Sequence, residues 1–125
     1  MKKSINIPDA PKPVGPYSQA IIHNEMMIAS GQIAINPSNG ELLTGSISIE
    51  LNQILKNIDA LLKEAHLKRK NILKCSIFLK NMNDFAIVNE IYANYFEEPY
   101  PARETVEVAR LPMDANIEIS FIASN

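Results

Sequence analysis

Between residues 47 and 65 the apolar positions fall on one helical stripe. Ile47, Leu51, Ile54, Leu55, Ile58, Leu61, Leu62 and Ala65 recur at the spacing that keeps side chains on one face of an α-helix. Ser46 stands where an N-cap belongs. Glu50, Lys56, Asp59 and Lys63 fall off the stripe and read as a solvated face. The period then changes. Leu73, Cys75, Ile77 and Leu79 alternate with Lys74, Ser76, Phe78 and Lys80, the two-residue repeat of a strand with one buried face. Helical spacing returns in Phe85, Val88, Ile91 or Tyr92, and Tyr95, with Asn83 as the expected cap. Pro99 and Pro101 prevent this helix from continuing. Residues 20–23 and 26–33 predict two strands around a turn at Asn24-Glu25, and Pro37-Ser38-Asn39-Gly40 is a further turn signal. Residues 103–109 and 116–123 predict two more strands, joined through a turn around Pro112-Met113-Asp114.

The expected order is ββαβαββ, without repeats, in one domain over residues 1–125. Two amphipathic helices need a shared partner, and one sheet with both helices on the same face supplies it, an α+β arrangement. The opposite sheet face is then expected to carry Phe78 and Ile122 beside Arg103, Thr105, Glu118 and Ser120. A half-apolar face with embedded charges suits a subunit interface better than open water, so an oligomer built through the sheet is expected. Pro8, Pro11, Pro13, Gly15 and Pro16 make the preceding segment an extended arm, and its end delivers Tyr17 to a defined place.

Composition narrows the chemistry. The chain has 125 residues, 46% of them hydrophobic, enough for a core without disulfides. Its formal net charge of −2 and the lack of a basic stripe argue against nucleic acid as a partner. The one cysteine, Cys75, cannot close an intrachain disulfide and sits on the apolar side of its strand, where an inert thiol is expected. His23 and His66 are far apart and no Cys/His cluster exists, so no metal site is expected. Phosphate-cradling glycine motifs and nucleophile-elbow glycines are absent. The N-terminal lysines have no apolar run behind them, and no stretch is long enough to span a membrane, so a cytoplasmic protein is expected.

What remains is a constellation on the last two strands. Arg103, Thr105 and Glu107 share one side of their strand, and Glu118 and Ser120 share the side away from Ile117, Ile119 and Phe121. If these strands pair through the Pro112 turn, Arg103 and Glu118 lie on the same side of the sheet. Two readings fit. One is a cross-strand ion pair. The other is a ligand arginine at the mouth of a cleft, since Arg103 opens its strand directly after Pro101-Ala102 and a guanidinium matches a carboxylate as a planar fork.

Pro101-Ala102-Arg103, Val106-Glu107-Val108-Ala109-Arg110-Leu111-Pro112 and Ile117-Glu118-Ile119 together resemble the C-terminal signature of the RidA (YjgF) family of reactive-intermediate deaminases. Gly15-Pro16-Tyr17-Ser18-Gln19, Ser30-Gly31-Gln32-Ile33, Asn83-Asp84-Phe85 and Val88-Asn89-Glu90-Ile91-Tyr92 agree in the same order, so the resemblance covers nearly the whole chain. It implies a chorismate-mutase-like fold with a single mixed sheet, a homotrimer, and clefts between subunits. It implies cofactor-independent hydrolysis of 2-iminobutanoate, 2-iminopropanoate and enamines such as 2-aminoacrylate. By the same resemblance Arg103 binds the substrate carboxylate, and Glu118 orients or activates water. Tyr17, Ser30, Gly31 and Asn89 line the cleft. Where the family often has Ser-Cys after the arginine, this chain has Glu104-Thr105. Thiol chemistry at that position is therefore excluded, while the Thr105 N–H and hydroxyl remain available to a ligand. Strand parity directs Glu104 away from Arg103. Two alternatives stay open: a non-catalytic binder of small keto or amino acids using the same arginine, and RNA binding or cleavage, which the charge balance disfavours.

Overall fold

In the computed structural model, which describes residues 1–125, six strands and two α-helices follow one another as β1 (Lys3–Ile5), β2 (Ala20–His23), β3 (Met26–Gln32), α1 (Ile47–Glu64), β4 (Ile72–Leu79), α2 (Phe85–Tyr95), β5 (Ala102–Glu107) and β6 (Ile117–Ser124). The strands form a single mixed sheet in the order β1-β2-β3-β6-β4-β5. Only β4 and β5 run parallel, as expected of two strands joined by a crossover helix. The expected α+β fold, a mixed sheet with both helices on one face, is what forms. Strand β1 was not legible: its three residues are mostly polar, and it exists as an edge paired with β2.

Helix α1 begins where its cap dictates. Ser46 is extended, and its side chain accepts from the Ile49 N–H at 3.2 Å. The stripe from Ile47 to Leu62 is buried against the sheet. One off-stripe residue departs from expectation: Glu50 is wholly buried, not solvated. Its carboxyl accepts from Asn116 N at 3.1 Å and Asn116 Nδ2 at 2.5 Å, just before β6. The α2 cap also differs. Asn81, not Asn83, accepts from the Asn83 N–H at 2.9 Å and starts a short 3-10 turn that runs into α2. Within β4, a register slip between Ile72 and Lys74 leaves Leu73 exposed and buries Ile72 in its place.

The principal correction concerns the last strands. β5 and β6 do not form a hairpin, because β4 lies between them. After β5 the chain bonds back to the end of β4 (Val108 N to Leu79 O, 2.9 Å), crosses its tip, and enters the sheet between β3 and β4. The alternating Ile117, Ile119, Phe121 and Ala123 of β6 thereby reach the centre of the core. No helix is long and apolar enough to cross a membrane.

Candidate functional site

The sequence-predicted residues separate into two groups. The first surrounds a cavity of about 400 Å³ lined by Tyr17, Ser30, Gly31 and Glu118, with Gln19, Met113 and neighbours completing the wall. A bulge between Ala29 and Gln32 carries Ser30 and Gly31. Gly31 is there because Glu118 lies on top of it: a Cβ would sit 2.7 Å from Glu118 Cδ and 2.9 Å from Oε2. Ser30 Oγ donates to Ser18 O at 2.7 Å and ties β3 to the arm that bears Tyr17. Glu118 has no cationic partner within the chain. Burial alone raises its carboxyl above the ordinary carboxylate value.

Gln19 organises the same cavity, and no periodicity announces it. Its buried amide accepts from Ile7 N at 2.7 Å and donates to Ile7 O, Ala10 O and Pro11 O at 3.0–3.2 Å. A prolines-rich arm with few N–H groups cannot hold itself down by its own backbone, and one side-chain amide does so. On the opposite wall Met113 has a left-handed backbone (φ 56°), as does Asp114 (φ 54°). Such residues are uncommon outside sites where the surroundings enforce them.

The second group lies between β5 and α2. Arg103 stacks its guanidinium over Tyr92 at 4.8 Å from the ring centre, with Phe85 at 5.6 Å. None of the ion pairs of the chain includes it. Asn89 is on the α2 face that bears Phe85 and Tyr92, one turn from Phe85. Thr105 follows Arg103 on the same strand face, and its Oγ1 is buried without a hydrogen-bond partner, as is Tyr92 Oη. Cys75 stands directly across from Arg103 on β4, and burial pushes its thiol up to about 11, which keeps it protonated and inert. Burial likewise raises the Tyr92 hydroxyl above its ordinary range.

Glu104 points to the other sheet face, as parity requires. It accepts from Ser76 and pairs with Lys74 at 3.0 Å, and these two contacts hold its carboxyl below the usual value. Its charge is therefore occupied away from Arg103.

Arg103 and Glu118 do not share a face, contrary to the hairpin expectation. Arg103 registers with Cys75, which registers with Phe121 on the core side; Glu118 registers with Phe78, which registers with Val106 on the outer side. Arg103 and Thr105 thus belong to the helix-covered side, while Phe78, Ile122, Glu118 and Ser120 are on the outer side as expected. The intervening β4 is the cause, since it sets the relative parity of its two neighbours. No cluster of three His, Cys, Asp or Glu side chains suited to a metal ion is formed.

The comparisons with known proteins agree with this architecture. A family profile described as Endoribonuclease L-PSP matches residues 7–125. A RutC family protein of Pyrococcus horikoshii is 49% identical over 123 residues, covering 98% of each chain. A 2-iminobutanoate/2-iminopropanoate deaminase of Dermatophagoides farinae is 40% identical over 121 residues, covering 97% of this chain and 94% of its own. The crystal structure of a conserved Rid family protein of Yersinia pestis superposes over 100% of both chains with a TM-score of 0.97 at 47% identity. With a profile match over almost its full length and a shared fold at this identity, the chain belongs to the endoribonuclease L-PSP family, the family of the YjgF and RidA proteins.

Proposed function

We propose that the protein hydrolyses small 2-imino and 2-enamino acids (2-iminobutanoate, 2-iminopropanoate, 2-aminoacrylate) to 2-keto acids and ammonia, in clefts between the subunits of a homotrimer. The observation that carries this reading is the state of Arg103: a half-buried guanidinium held by two aromatic faces, with no carboxylate of its own chain upon it. The 40% identical relative named for this reaction supports it.

In this reading the site is shared. Arg103, Thr105 and Asn89 of one copy face the cavity of Tyr17, Ser30, Gly31 and Glu118 in the next. Two half-sites on opposite faces of one sheet cannot close on a ligand of a few atoms, and a second copy resolves this. Because β5 is an edge strand, its Arg103 end can meet the outer sheet face of a neighbouring copy, where Val106 and Ile28 are exposed.

The chemistry needs little apparatus. Arg103 fixes the substrate carboxylate through charge-assisted hydrogen bonds, each contributing about 1.5–3 kcal/mol. That places C2 beside Glu118. A water loses a proton to the Glu118 carboxylate as its oxygen bonds to C2, and the C=N electron pair passes to nitrogen, which takes up a proton. The resulting carbinolamine breaks its C–N bond as its hydroxyl proton departs. Ammonia leaves with a proton delivered by Glu118, Tyr17 or a second water. Such imines already hydrolyse in water, so positioning and one acid–base group, worth about 10²–10⁴-fold, suffice.

The test couples the protein to a threonine dehydratase and follows 2-oxobutanoate and ammonia, with semicarbazide trapping free imine. Faster keto-acid release and less trapped imine are expected. Unchanged partition would remove the enzymatic reading and leave the non-catalytic binder, which needs the same arginine but no turnover.

A further inference from the structure

We infer that Phe85 and Tyr92 form an aromatic clamp whose task is to hold the Arg103 guanidinium by its flat face, leaving its N–H donors free for a ligand carboxylate; this rests on the reading of Arg103 given above. The two rings act as positioning residues for the arginine.

The chain contains its own control. Arg69 also stacks on a ring, 4.0 Å from the centre of Tyr95, but its Nε and Nη2 both donate to Asp59 at 3.0 and 2.8 Å. That arginine is spent on its own protein. Arg103 has two rings and no carboxylate. A guanidinium withdrawn from water needs compensation, usually an acid. An acid occupies the edge of the group, where all the donors are. A ring attracts the face and occupies none of them. Rings below and open donors at the rim therefore present a charged fork that is already oriented.

The rings come from one face of α2, seven residues apart, so a single helix sets both. Tyr92 is only 6% exposed, and its hydroxyl is unpartnered. A buried unpaired hydroxyl is a liability that a phenylalanine would not have. The aromatic face therefore matters at this position apart from any bond by its hydroxyl. Thr105 Oγ1, on the same strand face as Arg103, is also buried and unpartnered. The fork suits an anion with at least two acceptor oxygens and a planar head, which is a carboxylate.

The test measures ammonia release from 2-iminobutanoate made in situ, and the affinity for pyruvate as an unreactive carboxylate probe. Tyr92→Leu is expected to raise both KM and the pyruvate Kd by about tenfold with little change in kcat, and Phe85→Leu, whose ring is farther, by about threefold. Tyr92→Phe keeps the ring and is expected to restore KM while raising Tm. The double variant Arg103→Ala/Tyr92→Leu should bind no more weakly than Arg103→Ala, a coupling that a merely structural tyrosine would not show. Wild-type KM and Kd in folded Tyr92→Leu, or losses that add in the double variant, would overturn the clamp. If Tyr92→Leu fails to fold, Phe85→Leu decides in the same terms. Loss of binding in Arg103→Ala with both leucine variants unaffected sinks the clamp alone. Unaffected binding in Arg103→Ala sinks the reading of Arg103 with it.

Discussion

Arg103 and Glu118 are opposite solutions to the burial of a charge. The arginine is compensated by aromatic faces, and the glutamate is left to the desolvation that raises its proton affinity. Their variants should therefore fail differently. Arg103→Ala removes the anchor, so KM should rise by about 10²-fold or more, two charge-assisted bonds being lost. Glu118→Gln keeps the shape but removes proton transfer, so kcat should fall by about 10²–10⁴-fold with a small change in KM. Steady-state kinetics of both variants separate these outcomes. Thr105→Ala should keep most turnover, since thiol chemistry is absent there and the backbone N–H stays. Glu118 also carries a stability prediction. Its folded pKa lies above its unfolded one, so between the two the native state binds more protons and stability falls as pH rises. Glu118→Gln should lose this contribution, and relative to wild type it should gain Tm at pH 7 over pH 4. Thermal melts at the two pH values check this. An equal difference at both would mean that the carboxyl is not desolvated.

At the scale of elements, what could be read from the chain was set by whether a signal is local. The stripe of α1, its Ser46 cap and the alternation after Cys75 depend on neighbours within a few residues, and all are found. Asn24, with φ 55°, turns β2 into β3 where Asn24-Glu25 was expected to. Order in the sheet is not local. Residues 108–116 are a connection long enough to step over a strand, and nothing in their composition says whether they turn back beside β5 or cross the tip of β4. Tyr17, Ser30, Gly31 and Glu118, named together by the family resemblance, do line one cavity. The side of the sheet taken by Arg103 was not legible, because it depends on which strand lies between β5 and β6. Glu50 shows the same limit: helical geometry makes it off-stripe, yet it is buried because Asn116 arrives from 66 residues away with two donors. This pair fixes the entry of β6, two residues before Glu118. Glu50→Ala should strand the Asn116 donors and cost about 1–3 kcal/mol in a urea titration. Glu50→Gln retains one acceptor and should cost less. Equal costs would mean that packing, not hydrogen bonding, holds this junction.

For the whole molecule the decisive issue is that one sheet carries the two half-sites on opposite faces. A twisted sheet of six strands cannot fold back on itself to join them, so the proposed site would need a second copy. This gives an experiment that an oligomer-mass measurement alone cannot. Arg103→Ala and Glu118→Gln are each expected to be nearly inactive. If every site takes its arginine from one copy and its glutamate from the next, co-refolding the two variants at equal amounts creates intact sites. One junction in about four then has an arginine donor and a glutamate donor that are both unaltered, by random assembly in a closed ring. Ammonia release should return to about a quarter of the wild-type value and fall away as either variant is put in excess. Mixing folded variants without exchange should restore nothing until subunits redistribute, so the lag reports the exchange rate. Recovery with light-scattering masses at three chains would establish both the assembly and the shared site. No recovery from a mixture that reaches the same mass would mean that each copy builds its site alone, and the division read from the β4 register would then have no bearing on catalysis.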